Sequence, residues 1–253
     1  AVGALTRQLL SIFGIRTIGY VVELGGVQID PRPASLQDQL ALREKSIIYS
    51  LDPDRDEEIK QLIDETRKQG DTLGGVVEVR VEGLPFGLGT HAQWDRKLDG
   101  RIAQAVMAVQ AIKGVEIGLG FESARRPGSK VHDPIRYDAS QRSGPTLGYV
   151  RPTNNAGGLE AGMTNGQPLI VRAAKKPIST LAKPLESVNL TTKQSESAAY
   201  ERSDVCAVSA ASVIVENVVA FEVAAALVEK FGNDSLVEMK ARWKLFNEMA
   251  RER

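Results

Sequence analysis

Apolar positions recur with helical and strand periods along most of the chain, and those periods define the elements to expect. Residues 1–13 carry Leu5, Leu9, Ile12 and Phe13 on one helical face, with Gly14 as a stop. Residues 20–29 read as a strand interrupted by Gly25-Gly26 and closed by breakers at Pro31 and Pro33. Residues 54–69 predict a charged helix with a narrow apolar stripe (Ile59, Leu62, Ile63), an Asp64–Lys68 pair one turn apart, and Gly70 at its end. Residues 75–81 set Val76, Val79 and Val81 among charges, a strand with mixed faces. The clearest amphipathic helix runs over 98–112, with Leu98, Ile102, Ala105, Val106, Val109 and Ile112 at spacings of three and four. Gly114 ends it, and 115–119 follows as a short strand.

Residues 123–153 are polar, proline-containing and basic, the composition of a long loop, and such a loop inside a compact domain is functional or mobile. Strands are expected at 167–174 and 185–190. Residues 212–231 are apolar nearly all the way round, which predicts a helix buried between layers. A last helix over 234–253 carries Leu236, Trp243 and Phe246. No internal repeat or low-complexity linker divides the chain, so 1–253 reads as one α+β domain.

Composition narrows the function classes. The 32 basic and 32 acidic residues cancel, which argues against a general nucleic-acid or membrane-surface binder. A small anionic ligand remains open, because a few placed arginines suffice for it. The one cysteine, Cys206, cannot form an internal disulfide, and a reducing, cytoplasmic setting is the simplest expectation. No run approaches the length expected of a membrane span, and the first residues read as mid-helix rather than as a signal peptide.

Three segments have the residue types for anion or flavin chemistry. The loop 154–168 is rich in Asn and Gly, which bring main-chain N–H groups close to a ligand; composition alone favours an ordinary turn-rich connection. Lys176, Pro177, Ile178, Ser179 and Thr180 combine an ammonium with two hydroxyls, the donors for a phosphate or the polar edge of a flavin, and equally the content of a surface turn. In Arg202-Ser203-Asp204, the guanidinium suits a phosphate or carboxylate and Asp204 a local base. The alternative there is an Arg202–Asp204 ion pair, with Ser203, Asp204 or Ser209 capping the next helix. His91 and His132 lack metal-ligand spacing, Cys206 reads as a small apolar filler, and the Gly87-Leu88-Gly89 and Gly118-Leu119-Gly120 pairs fall short of a dinucleotide fingerprint.

Six stretches in order go further. Trp94-Asp95-Arg96-Lys97-Leu98-Asp99, residues 110–118, Ala124-Arg125-Arg126-Pro127-Gly128-Ser129, the loop 154–168, residues 176–180 and Arg202-Ser203-Asp204-Val205-Cys206-Ala207-Val208 together resemble the chorismate synthase family over essentially the whole chain. The resemblance implies an α+β sandwich of two antiparallel four-stranded sheets enclosing long helices, and a homotetramer. It implies a lyase that removes phosphate from 5-enolpyruvylshikimate-3-phosphate by 1,4-elimination in aromatic amino acid biosynthesis. Reduced FMN is the implied cofactor, with NADP an associated nucleotide, and neither nucleic acid nor membrane is an implied partner. FMN contacts are implied at Gln110, Ala111, Ala161, Lys176, Pro177, Ile178, Ser179, Thr180 and Arg202, with Arg202 and Asp204 catalytic and Asp204 managing the proton on flavin N5. No metal is implied. The family's first portion, with its Gly-x-Ser-His-Gly motif and its histidines, has no counterpart here, so the chain is expected to be incomplete at its N-terminus and neither His91 nor His132 inherits those roles. An FMN-binding and assembly module without turnover of its own is the alternative. Ala161 stands where the family usually has glycine, a mild change if φ is negative and a disruptive one otherwise. Ser209 stands where proline commonly opens a helix, which serine also suits.

Overall fold

The computed structural model describes residues 1–31 and 35–252, so Pro33 and Arg253 of the expected elements lie outside the described residues. Helix α1 (Val2–Ile12) leads through Gly14 into strand β1 (Arg16–Leu24), which turns into the short β2 (Val27–Gln28). Helices α2 (Leu36–Lys45) and α3 (Asp56–Gln69) precede β3 (Gly75–Glu82) and β4 (Phe86–Gly89). Then come α4 (Leu98–Met107), β5 (Ile112–Ile117) and the two-residue strands β6 (Arg136–Tyr137), β7 (Tyr149–Val150) and β8 (Leu159–Glu160). Strands β9 (Met163–Asn165), β10 (Leu169–Lys175), β11 (Glu186–Val188) and β12 (Ser195–Ser197) follow, and α5 (Val208–Phe231) and α6 (Leu236–Arg251) close the chain.

The main sheet has the order β2-β1-β3-β10-β5, antiparallel throughout. Alternation along its strands sends Val21, Val77, Val79, Val81, Val171 and Ala173 to one face, where they are buried with Val215, Val219 and Val223 of α5. Each such fully buried valine contributes roughly 1.5–3 kcal/mol. Gly19 lets α5 lie directly on β1, because a Cβ there would sit 2.4 Å from the Ser212 carbonyl oxygen. On the other face Ile18, Tyr20 and Leu51 pack under Leu36 and Leu40 of α2. Beside them the Tyr20 hydroxyl donates to Glu78, which also accepts Arg172 Nε at 2.7 Å. Burial, then the Glu78 charge, push the Tyr20 phenol well above its ordinary range.

The α+β class agrees with expectation, but the layers differ in detail. Among the described residues a five-stranded sheet carries the core helices, and a three-stranded sheet of order β4-β9-β8 packs against α5 and α4 as well. The far side of α5 is open: Ile214 is 49% and Phe221 46% exposed, beside Val2 of α1. So α5 is buried on its sheet side and apolar but uncovered on the other. By length and mean hydropathy (1.9) α5 passes as a membrane-crossing helix, contrary to the expectation that no run approaches that length. Its placement explains the composition: it carries the buried Glu216, paired with Arg7 and Arg43, and packs on β1, β3, α1 and α4.

Other boundaries move for local reasons. The helix expected over 98–112 stops at Met107, and Ala111 takes φ 66°, so Ile112 enters the core from β5 instead of from a helix. Strand β1 begins four residues before its expected start, and Gly25-Gly26, with φ 58° and 87°, forms the two-residue turn to β2. Asp64 pairs with Arg67 at 2.6 Å rather than with Lys68. The loop 123–153 contains the β6–β7 ribbon and short 3₁₀ turns, and the strand at 185–190 is β11 of a hairpin with β12. Helix α2 escapes the periodic reading because it has no apolar stripe; Ser35 accepts the Asp38 N–H and starts it.

Candidate functional site

One end of the main sheet gathers most of the expected residues. Cross-strand register places Leu24, Gly75, Lys175 and Ile112 in one row. Immediately beyond that row lie Ala111, Lys176 and the Thr72-Leu73-Gly74 approach to β3. Main-chain bonds hold them together: Lys176 N–H donates to the Ala111 carbonyl at 2.9 Å, and Leu73 N–H to the Val205 carbonyl at 2.8 Å. Gly74 is required by close approach, since a Cβ there would meet the Lys175 carbonyl oxygen at 2.5 Å and Pro177 at 2.9 Å. The Thr72 hydroxyl donates to the Ile178 carbonyl at 2.6 Å, and Ser203 Oγ to the Thr180 carbonyl at 2.9 Å. These two bonds pin the segment 176–180 between β3 and the segment that carries Arg202 and Asp204.

A cleft of about 380 Å³ opens there, lined among others by Arg67, Asp71, Thr180, Tyr200, Arg202 and Asp204. Arg202 and Asp204 are both exposed, and no ion pair joins either of them to any described residue. The Arg202–Asp204 pair considered from sequence is therefore not formed. Nor do Ser203, Asp204 or Ser209 cap α5: its first N–H, from Val208, goes to Cys206 Sγ at 3.4 Å, and Ser209 Oγ donates to the Ile48 carbonyl. Burial pushes the Cys206 thiol up, as suits a half-buried filler. Arg67, Asp71, Thr72 and Tyr200 were not anticipated. The one signal for them in the sequence is Gly74-Gly75 opening a strand, a mark of close backbone contact.

The loop 154–168 lies elsewhere. It meets the sheet at the opposite end of β10, where Gly118 N–H donates to the Ile170 carbonyl and Leu119 N–H to the Asn155 carbonyl. The length of β10, about 20 Å at strand rise, separates that end from Lys176. Its main-chain donors are spent internally: Asp133 accepts the Thr153 hydroxyl at 2.6 Å, Asn155 N–H at 2.8 Å and Ala156 N–H at 2.9 Å, and Asn154 Oδ1 accepts Gly158 N–H at 2.9 Å. Burial raises the Asp133 carboxyl, but these bonds outweigh it and leave the group below its ordinary value. Ala161 sits in the two-residue β8–β9 turn with φ 52°, followed by Gly162 at 82°. The glycine-to-alanine difference thus falls on a left-handed position. His91 and His132 are exposed and do not line the cleft.

Comparison with known proteins gives the family. A chorismate synthase family model matches residues 1–228. The chain belongs to the chorismate synthase family. It is 54% identical over 244 residues to a chorismate synthase from Geobacter metallireducens, covering 96% of the chain and 62% of that protein. With the chorismate synthase of Trichlorobacter lovleyi the identity is 57% over 241 residues, covering 95% and 62%. A crystal structure of chorismate synthase superposes with a TM-score of 0.83 at 42% identity, over 100% of this chain and 68% of that one. The chain thus spans about three fifths of the length of these curated family members.

Proposed function

We propose that the cleft at the Lys176 end of the sheet is the FMN and substrate site of a chorismate synthase, which eliminates phosphate from 5-enolpyruvylshikimate-3-phosphate to give chorismate. The observation that carries this reading is Arg202, a cleft-lining guanidinium free of any ion pair among the described residues. Such a group offers two parallel N–H donors to a phosphate or carboxylate. The donor set fits a phosphorylated flavin. Thr72 and Ser203 spend their hydroxyls on carbonyls and so shape the wall, while the side chains of Arg202, Asp204 and Thr180 line the space it encloses.

Lys176, Pro177, Ile178, Ser179, Thr180 and Arg202 would hold FMN, with the turn Gln110-Ala111 beside Lys176. When bound, reduced FMN supplies electron density to C–O cleavage and recovers it with the departing hydrogen, so there is no net oxidation. Arg202 binds the anionic end and offsets negative charge as phosphate departs. Asp204 holds the proton of flavin N5 on its carboxylate and returns it. The open cleft needs further cover to exclude water, which a homotetramer would supply. Ala161, in the β8–β9 turn away from the Lys176 end of the sheet, reaches the same flavin only if another copy presents it. An anionic small-molecule substrate, the even charge balance and the single cysteine support a cytoplasmic biosynthetic enzyme without nucleic-acid or membrane partners.

A second reading, flavin binding without turnover, is favoured by the exposure of Arg202 and Asp204. Chorismate formation from 5-enolpyruvylshikimate-3-phosphate with reduced FMN separates the two: turnover by this polypeptide refutes the second, and FMN binding without turnover supports it. Absence of both binding and turnover refutes both. In a complete family enzyme the substitution matching Asp204→Asn should keep fold and FMN affinity and slow turnover; full activity would remove Asp204 from the proton role.

A further inference from the structure

At the other end of β1, a hollow of about 510 Å³ opens between α1, Arg16-Thr17 and α2. The length of β1, about 25 Å at strand rise, separates it from the cleft. Buried Leu10 and Ile15, with half-buried Leu36 and Leu40, supply apolar walls. Thr17 also lines it, is 7% exposed, and its Oγ1 has no hydrogen-bond partner among the described residues. A buried hydroxyl left without a partner costs stability that an isosteric valine would not. The fold therefore gives no reason for threonine here, whereas a ligand would.

The charges around the hollow define that ligand. Arg7 is already engaged: its Nη1 lies 3.0 Å from Glu216 Oε1, and Arg43 Nη1 takes the other oxygen at 2.9 Å. Arg16 is exposed and forms no ion pair with any described residue. One free guanidinium and one free hydroxyl beside apolar walls match a single negative charge with an apolar body behind it. A bare phosphate would leave those apolar walls uncovered. We propose that this hollow binds a small monocarboxylate with an aliphatic or aryl tail, its carboxylate on Arg16 and Thr17 Oγ1 and its tail against Leu10, Ile15, Leu36 and Leu40. This site is independent of the flavin cleft and of the chemistry proposed there.

Titration of the isotope-labelled chain with hydrocinnamate, followed by amide chemical shifts, tests it, with hydrocinnamyl alcohol and inorganic phosphate in parallel. Hydrocinnamate should give saturable shifts at Arg16, Thr17, Leu36 and Leu40, and the alcohol and phosphate should bind at least roughly tenfold more weakly. Arg16→Gln and Thr17→Val should each weaken hydrocinnamate by roughly tenfold or more. Thr17→Val should leave Tm unchanged or raise it, because it deletes an unpaired hydroxyl. Linear shifts without saturation, equal binding of the alcohol, tighter binding of phosphate, or unchanged affinity in Arg16→Gln would each overturn the proposal. So would a lowered Tm in Thr17→Val, which would show that the hydroxyl is already partnered within the protein.

Discussion

Ala161→Gly should stabilise the chain, although most substitutions to glycine do the opposite. Ala161 holds φ at 52°, the first of two left-handed residues in the turn joining Glu160 to Met163. An L-residue with a Cβ in that region carries about 1–2 kcal/mol of strain. Glycine removes that strain but gives back about 0.4–1 kcal/mol through the greater freedom of the unfolded chain. The net gain is then about 0–1.6 kcal/mol, centred near about 0.8, and for a chain of this size about 1 kcal/mol corresponds to a rise of roughly 2–4 °C in Tm. Urea denaturation and thermal melting of the two proteins measure it. Ala241→Gly, on the exposed face of α6, is the control, because there glycine should cost about 1 kcal/mol. A fall in Tm for Ala161→Gly equal to that of the control would refute the reasoning and show that the turn is not left-handed at this position.

Thr72→Val should weaken FMN binding several-fold, because it frees the Ile178 carbonyl and with it the segment 176–180, while Thr72→Ser should restore affinity; equal Kd values for wild type and valine variant would remove Thr72 as a positioning residue. Asp133 should tie the loop at Asn155 and Ala156 in a pH-dependent way. Its folded carboxyl lies below the ordinary 3.8, so its contribution is fully present above that value and is lost as pH falls through the lower folded value. Hydrogen exchange at the Asn155 and Ala156 amides should accelerate in acid in the wild type and be fast and nearly pH-insensitive, once corrected for intrinsic rates, in Asp133→Ala.

Much of this architecture was legible in the periodicity. Helices α1, α3 and α6 and strands β3 and β10 fall close to where apolar spacing puts them, although α1 buries Leu10 while Leu5 and Ile12 of its expected face stay exposed, and β3 is buried on both faces. Ile112 was not, since a residue at helical spacing from Val109 can reach the same core from a strand once Ala111 reverses the chain. Helix α2 was hidden for the opposite reason, its burial being confined to Gln39 and a few half-covered leucines. At the site, residues 176–180, Arg202 and Asp204 were nameable in advance, whereas Arg67, Asp71, Thr72 and Tyr200 join them only once the fold brings the end of α3, the approach to β3 and the segment before α5 together. The glycine-rich loop had the composition of a ligand cradle, yet Asp133, more than twenty positions upstream, consumes the main-chain donors that made it look like one.

FMN titration of the wild-type chain and Arg202→Ala, by flavin fluorescence, tests the cleft most directly. The wild type should saturate, and Arg202→Ala should bind more weakly by about 1–3 kcal/mol, the loss of one partner of a charged hydrogen bond, with Tm unchanged because Arg202 is exposed and in no ion pair with any described residue. Identical titration curves for the two proteins would contradict the assignment of this cleft to the flavin.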